Sequence, residues 1–319
     1  MGEPRPTRGA IVVWFRVALG VAGLIVLGVI VQRVGLSAIA ETLGPALRWL
    51  PLVCALDVVR MAFESLASYL AFGSLGARIP RLTLFRAHVI GQSLSSLAPA
   101  PRVVNEAIKA TLLTPFVGSA AATSVGFINQ AATMIAVGVF SLPCAAAVLA
   151  LSGFSLWFWA LLVHAVVLVA SGLTFSAVTR ADAPARWLVA RFPKLAPRAT
   201  AFRAHASETG LWAGGPTAAL IGSRCVQVVQ YGIGAHAVGI DADVLRALAA
   251  QGVNLVASAV GVFVPAGLGT TDGAFTLAAG MLATTVARAT SLALLMRCVQ
   301  LVWLLLGSVV AFLGSRRGA

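Results

Sequence analysis

The chain has 319 residues, 59% of them hydrophobic and 10% charged, with a mean hydropathy of +0.94. No soluble core needs that excess, and long apolar runs recur, so composition excludes an ordinary globular domain and points to a polytopic α-helical membrane protein. The net charge of +13 is almost all arginine, since Lys109 and Lys194 are the only lysines; with no basic, aromatic-interleaved soluble module, it fits anionic lipid headgroups and cytoplasmic loops rather than nucleic acid.

In chain order, the apolar run 11–31 is long enough to span, so it reads as a first helix over 14–35 rather than as a cleaved signal. A short segment with Glu41, Pro45 and Arg48 follows. The next helix, 49–72, carries Asp57, Arg60 and Glu64 at i, i+3 and i+7, on one face. Residues 73–86 read as a loop with Arg78, Arg81 and Arg86. Segment 88–113 is apolar but interrupted at Pro99 and Pro101, which predicts two short helices in a re-entrant hairpin. Arg102, Glu106 and Lys109 follow that interruption on one face. A third helix is predicted over 116–142, then a weakly helical stretch 143–153 and a fourth helix over 154–178.

Residues 179–210 are the longest polar segment. Arg180, Arg186, Arg191, Lys194, Arg198 and Arg203, with Trp187, Leu188 and Phe192 among them, suit a basic amphipathic helix on the membrane surface. The segment divides one transmembrane domain, 1–319, into halves 1–178 and 211–319. The second half reads as a helix over 211–238, a broken segment 248–282 and a last helix over 290–313. That makes about six spanning helices plus two broken hairpins, all-α. With the N-terminus cytoplasmic, the basic residues collect inside, leaving Arg33, Arg48, Arg246 and Arg288 outside. The expected location is the cell inner membrane, multi-pass, with both termini cytoplasmic.

The second interruption contains Pro265, Gly267 and Gly269, with Asp272 after it. A backbone break at membrane depth is tolerated only where protein or a wet cavity satisfies its polar groups. The spacing from Pro99 to Glu106 equals that from Pro265 to Asp272. Matching hairpins entering from opposite faces would form an inverted repeat with a site at the midplane.

These two motifs resemble those of the flippase-like transmembrane region of lysylphosphatidylglycerol synthases: Pro99, Pro101, Arg102, Asn105 and Glu106 in the first, then Pro265, Ala266, Gly267, Gly269 and Asp272 in the second. The family's usual residues are glycine at Asn105 and Ala266 and glutamate at Asp272. The soluble aminoacyl-transferase part of the bifunctional relatives has no counterpart in this sequence. The resemblance therefore implies the lipid-translocating role of the membrane region rather than lipid modification.

Nine ionisable residues are expected at membrane depth: Asp57, Arg60, Glu64, Arg102, Glu106, Lys109, Arg224, Asp272 and Arg297. Each would cost about 2.5–3.5 kcal/mol at a helix centre, so together they call for pairing or a wet groove. Arg60, Arg102, Arg224 and Arg297 are the expected phosphate holders, because a guanidinium fork matches phosphate oxygens. Glu106 and Asp272 are the expected counter-charges or proton carriers. The plainer reading is structural pairing, Arg60 with Asp57 or Glu64 and Arg102 with Glu106, with Lys109 snorkelling to the interface. Asn129, Gln227, Gln230 and Gln251 read as interhelical hydrogen-bonding groups. Cys54, Cys144, Cys225 and Cys298 are scattered, the four histidines lack metal-ligand spacing, and no nucleophile elbow is present. No catalytic residue, metal or cofactor is expected.

The expected function is movement of a polar or phosphate-bearing lipid, anionic or isoprenoid, between leaflets through a charged intramembrane groove. The competing reading is a non-transporting membrane partner that recruits a lipid- or glycan-modifying enzyme through segment 179–210.

Overall fold

The structure is a computed structural model and describes residues 8–96, 98, 100–264 and 267–315. Pro99 and Pro265, and the terminal arginines Arg5, Arg316 and Arg317, lie outside the described residues. Among the described residues there are helices and no strand. They run α1 (Arg8–Val34), α2 (Leu36–Ala46), α3 (Leu50–Phe72), α4 (Arg81–Ser95), α5 (Pro101–Val117), α6 (Ser119–Ser152), α7 (Leu156–Arg180), α8 (Asp182–Arg191), α9 (Ala196–Glu208), α10 (Gly214–Ala237), α11 (Val244–Val260), α12 (Thr270–Leu277) and α13 (Val286–Ser315).

Three helices among the described residues are long and apolar enough to cross a membrane: Ser119–Ser152, Leu156–Arg180 and Val286–Leu313. A fourth span results if α1 and the helices after it, bent by 97°, count as one. Of the other expected spans, α3 and α10 have the length, at 23 and 24 residues. Their hydropathy is lowered by Asp57, Arg60 and Glu64 on α3 and by Arg224, Gln227 and Gln230 on α10. These two helices pack along each other, so each one's polar face meets the other's instead of lipid.

Several local expectations need correction. The segment after α1, to which the sequence reading assigned no element, is helical: α2 docks on α13, where Thr42 Oγ1 and Ser291 Oγ lie 2.5 Å apart. Residues 73–86 are mostly not a loop, since a 3-10 turn over Gly73–Arg78 leads directly into α4. The third helix does not weaken at Pro143; it continues to Ser152. One missing backbone bond does not stop a helix that α7 and α11 flank. The basic segment forms two helices, α8 and α9, separated at Phe192 and a short 3-10 turn over Pro193–Leu195.

The long helix α6 is the centre of the body. It packs on α7 over its length and also touches α3, α5, α9, α10 and α11. Small residues bring α6 and α7 together: a Cβ on Gly172 would stand 2.8 Å from Ile135 Cγ1 and 3.0 Å from Ala131 O. Two apolar cores form along α6. One gathers Val125, Ile128 and Ala136 with Phe72, Leu84, Leu113 and Leu220. The other gathers Phe140, Cys144 and Val148 with Leu161, Tyr231, Phe275 and Leu295. On α10 the residues between the two cores, 223–230, are those that carry polar groups toward α3.

Replacing Gly172 by leucine should wedge α6 from α7, because overpacking a close contact costs about 1–3 kcal/mol. Thermal unfolding in detergent should show the loss, and an unchanged midpoint would mean that the two helices do not depend on this contact.

Candidate functional site

The polar seam starts on α3. Asp57, Arg60, Glu64 and Ser68 follow one another at intervals of three or four residues, which stacks them on one helical face. Arg60 bridges its two neighbours: Nε lies 2.6 Å from Asp57 Oδ1, and Nη1 lies 2.7 Å from Glu64 Oε1. Its Nη2 also donates to Asp57 Oδ2 at 3.2 Å. Gln230 of α10 donates to Asp57 Oδ1 and to Val53 O, both at 3.1 Å.

Glu64 is the point where α4 and α10 converge on α3. Besides Arg60, its oxygens meet His88 Nε2 of α4 at 3.0 Å, Ser223 Oγ of α10 at 3.1 Å and Arg224 Nη2 at 3.5 Å. Arg224 Nη1 donates to Gln227 Oε1 at 2.5 Å, and Gln251 of α11 donates to the same oxygen at 3.0 Å. Asp57, Arg60, His88, Ser223, Arg224, Gln230 and Gln251 are all buried. Charges in such surroundings persist only when paired and hydrogen-bonded.

A second branch comes from α5. Lys109 Nζ lies 2.6 Å from Glu106 Oε1 and 3.3 Å from Ser68 Oγ. Asn129 of α6 donates to Ser68 Oγ at 2.9 Å and to Glu106 Oε2 at 3.4 Å. Gly126, one turn from Asn129, leaves room for Glu106: an added Cβ there would touch Glu106 Cβ at 3.4 Å. Lys109 is 3% exposed, so it does not snorkel to an interface. It also takes the place expected for Arg102, pairing with Glu106.

Arg102 stands apart. It is exposed, and among the described residues it makes no hydrogen bond or close ion pair. Arg224 keeps a buried Nε–H without a hydrogen-bond partner among the described residues. Next to Arg102 on α5, Val103 is 58% exposed.

The second interruption is organised by Asp272, which is fully buried. Its Oδ2 accepts from Gly269 N at 3.0 Å, holding the start of α12, and meets Arg297 Nη2 of α13 at 2.5 Å. Arg297 Nε lies 3.3 Å from Asp272 Oδ1, and Nη2 reaches Gly267 O at 3.4 Å. Gly267 and Gly269 have φ of +60° and +75°, which only glycine adopts at little cost. Gly269 also lies against α1, where an added Cβ would meet Gly23 O at 2.8 Å.

The two interruptions meet: Ala100 N donates to Val262 O at 3.3 Å. Ala100, just before Pro101 and the start of α5, is held at φ +50°, a strained value for alanine. Of the residues picked out in the sequence, Arg60, Arg224 and Glu64 lie in one network, Glu106 and Lys109 in an adjoining one, and Asp272 with Arg297 in a third. Glu106 and Asp272 do not pair with a common arginine. His88, Ser68 and Ser223 were not singled out as site residues. Ser68 continues the three-to-four spacing from Glu64 and was readable on that ground; the contacts of His88 and Ser223 with Glu64 depend on how α4 and α10 pack.

Residues 13–307 match a family described as lysylphosphatidylglycerol synthase TM region. Comparison with curated proteins and with solved structures gives no match.

Glu64→Gln should destabilise the fold by about 3 kcal/mol, because removing one member of a buried charge network strands the others. The double variant Glu64→Gln/Arg224→Gln should recover part of that loss, since the two sites are coupled. Denaturant unfolding of the single and double variants measures both, and strictly additive losses would show that the two residues are energetically independent.

Proposed function

The chain belongs to the lysylphosphatidylglycerol synthase transmembrane-region family, and from that membership and the polar seam we propose that it moves a phosphate-bearing lipid between leaflets. The observation carrying this reading is the seam itself, a line of buried charged and amide groups inside an apolar helical body. From Asp57 to Ser68 it runs 11 residues along α3, about 16 Å at ~1.5 Å per residue, or half of a hydrocarbon core of about 30 Å. A headgroup sliding along it would exchange water for fixed dipoles and charges, while its acyl chains stay in the bilayer.

In this mechanism Arg102, exposed on α5 next to Val103, meets the phosphate first. Arg224 and Arg60 carry the headgroup inward, and Glu64 and Glu106 balance those cations between passages. Asp272 and Arg297 hold the second interruption against α13 and separate when the halves rock. The bond between Ala100 and Val262 supports placing the two interruptions together, as an inverted repeat of re-entrant hairpins would. In this reading the chain sits in the inner membrane, and the arginine distribution supports cytoplasmic termini. No chemical step on the lipid is part of this mechanism, nor is a metal or cofactor.

A second reading rests on α8 and α9. Arg186, Arg191, Lys194 and Arg198 are exposed there, with Trp187 69% and Phe192 52% exposed. Such a face suits docking of a lipid- or glycan-modifying enzyme, with the chain itself as a scaffold.

Purified protein in vesicles with fluorescently tailed phospholipid separates the two readings: translocation without any partner supports transport, and its absence supports the scaffold. Under the transport reading, Glu106→Gln and Asp272→Asn should each slow leaflet exchange about tenfold, as a lost charged contact of 1.4 kcal/mol would. Unchanged exchange in both would remove these residues from the mechanism.

A further inference from the structure

The basic helices α8 and α9 leave and rejoin the body at the ends of long helices. Ala181 alone separates the last residue of α7, Arg180, from the first of α8, Asp182, and residues 209–213 link α9 to α10. The apolar helix α7 has 25 residues, about 37 Å at ~1.5 Å per residue and more than a hydrocarbon core of about 30 Å, so its ends reach the headgroups. The junction is tied at that level. Arg180 donates to Thr209 O from Nε at 3.2 Å and to Gly210 O from Nη2 at 2.9 Å, and Ser176 Oγ donates to Leu211 O at 2.7 Å. Trp212, 53% exposed, follows at once, at the depth where tryptophan collects in membrane proteins. Phe202 holds α9 to the body: its ring meets Phe127 of α6 edge-on at 5.4 Å, and Phe127 stacks on Phe175 of α7 at 5.5 Å.

The outward side of this pair of helices carries charge without partners. Segment 182–208 sets Arg186, Arg191, Lys194, Arg198 and Arg203 against Asp182 and Glu208. Asp182 is taken by Arg203, and Glu208 lies 3.3 Å from His205. The other four cations are exposed and make no hydrogen bond or ion pair among the described residues. On α8, half-buried Ala185 and Val189 face a cleft shared with Ala199 of α9, whereas Trp187 and Arg191, one turn apart, are exposed. Trp187 is 69% and Phe192 52% exposed. Large aromatic rings set among unpaired cations suit a helix lying in a headgroup layer, where rings enter the acyl boundary and cations meet phosphates.

We infer that α8 and α9 form an interfacial anchor that docks on a leaflet carrying anionic lipid. Trp187 and Phe192 enter among the headgroups, and Arg186, Arg191, Lys194 and Arg198 meet the phosphates. The scaffold reading gives this surface to an enzyme; the inference gives it to the bilayer, and it does not depend on the transport reading. The bilayer is favoured because the surface starts where a helix long enough to span ends. Lipid is its neighbour there at all times, and a soluble partner would have to displace that lipid.

Amide exchange followed by mass spectrometry tests this on the whole protein, in nanodiscs of phosphatidylcholine alone or with about one third phosphatidylglycerol. Exchange over residues 182–192 should be about tenfold slower in the anionic discs, while α11 should exchange alike in both. Salt at about 0.5 M should bring the difference below about twofold, because screening weakens attraction between exposed charges and phosphates. The triple variant Arg186→Gln/Arg191→Gln/Lys194→Gln should lose the difference at low salt. Trp187→Ser should speed exchange of the same segment in both discs, since the ring enters either headgroup layer. Both variants should keep the unfolding midpoint, because the replaced side chains are exposed.

Equal exchange in the two discs would overturn the inference and leave the surface to a protein partner. So would a difference that survives the triple variant, or one that extends equally over α11.

Discussion

Glu64 accepts from Arg60, His88, Ser223 and Arg224 at once, and the arrangement of α3, α4 and α10 follows from that convergence. A carboxylate inside an apolar body is costly unless donors surround it. Each donor comes from a position that only a particular packing can deliver: one from its own helix a turn away, one from α4 and two adjacent ones from α10. The two apolar cores fix the helices, and the residues of α10 between those cores supply the polar contacts.

Stability alone does not account for this network. Buried ion pairs replaced by well-packed apolar residues are often neutral or more stable, so a buried charge network is weak evidence of a stabilising role. In a helical membrane protein, buried ionisable groups mark pathways and binding sites. Arg102, exposed and without a hydrogen bond or close ion pair among the described residues, contrasts with Lys109, which is closed off. Asp272 is the contrasting case. Fully buried and capping its own helix, it fixes the conformation of the second interruption and ties that interruption to α13.

Much of this was legible in the chain. Asp57, Arg60 and Glu64 announce a shared face by spacing alone, and their mutual pairing follows from reach. The two interruptions are announced by proline and glycine, and the described residues Ser96, Ala98, Ala100, Val264, Leu268 and Gly269 lie outside α-helix. The helices read at 49–72 and 211–238 are α3 and α10, of 23 and 24 residues, although their polar faces lower the hydropathy that marks a span. Pro143 misled in the other direction: packing on both sides carries the helix through a residue that local rules treat as a stop. Glu106 drew the wrong partner, since Arg102 and Lys109 are both within helical reach of it and only the rotation of α5 against α3 and α6 chooses between them.

The sequence by itself determined an all-helical membrane protein of this family, its charged faces and its two broken segments, because composition, periodicity and proline placement are local properties. Tertiary structure alone decided that His88, Ser223 and Arg224 close on Glu64, that Lys109 and not Arg102 neutralises Glu106, and that Arg102 stays open. Those outcomes depend on the rotation and depth of one helix against another. The same charges on the same helix faces allow several pairings, and packing selects one.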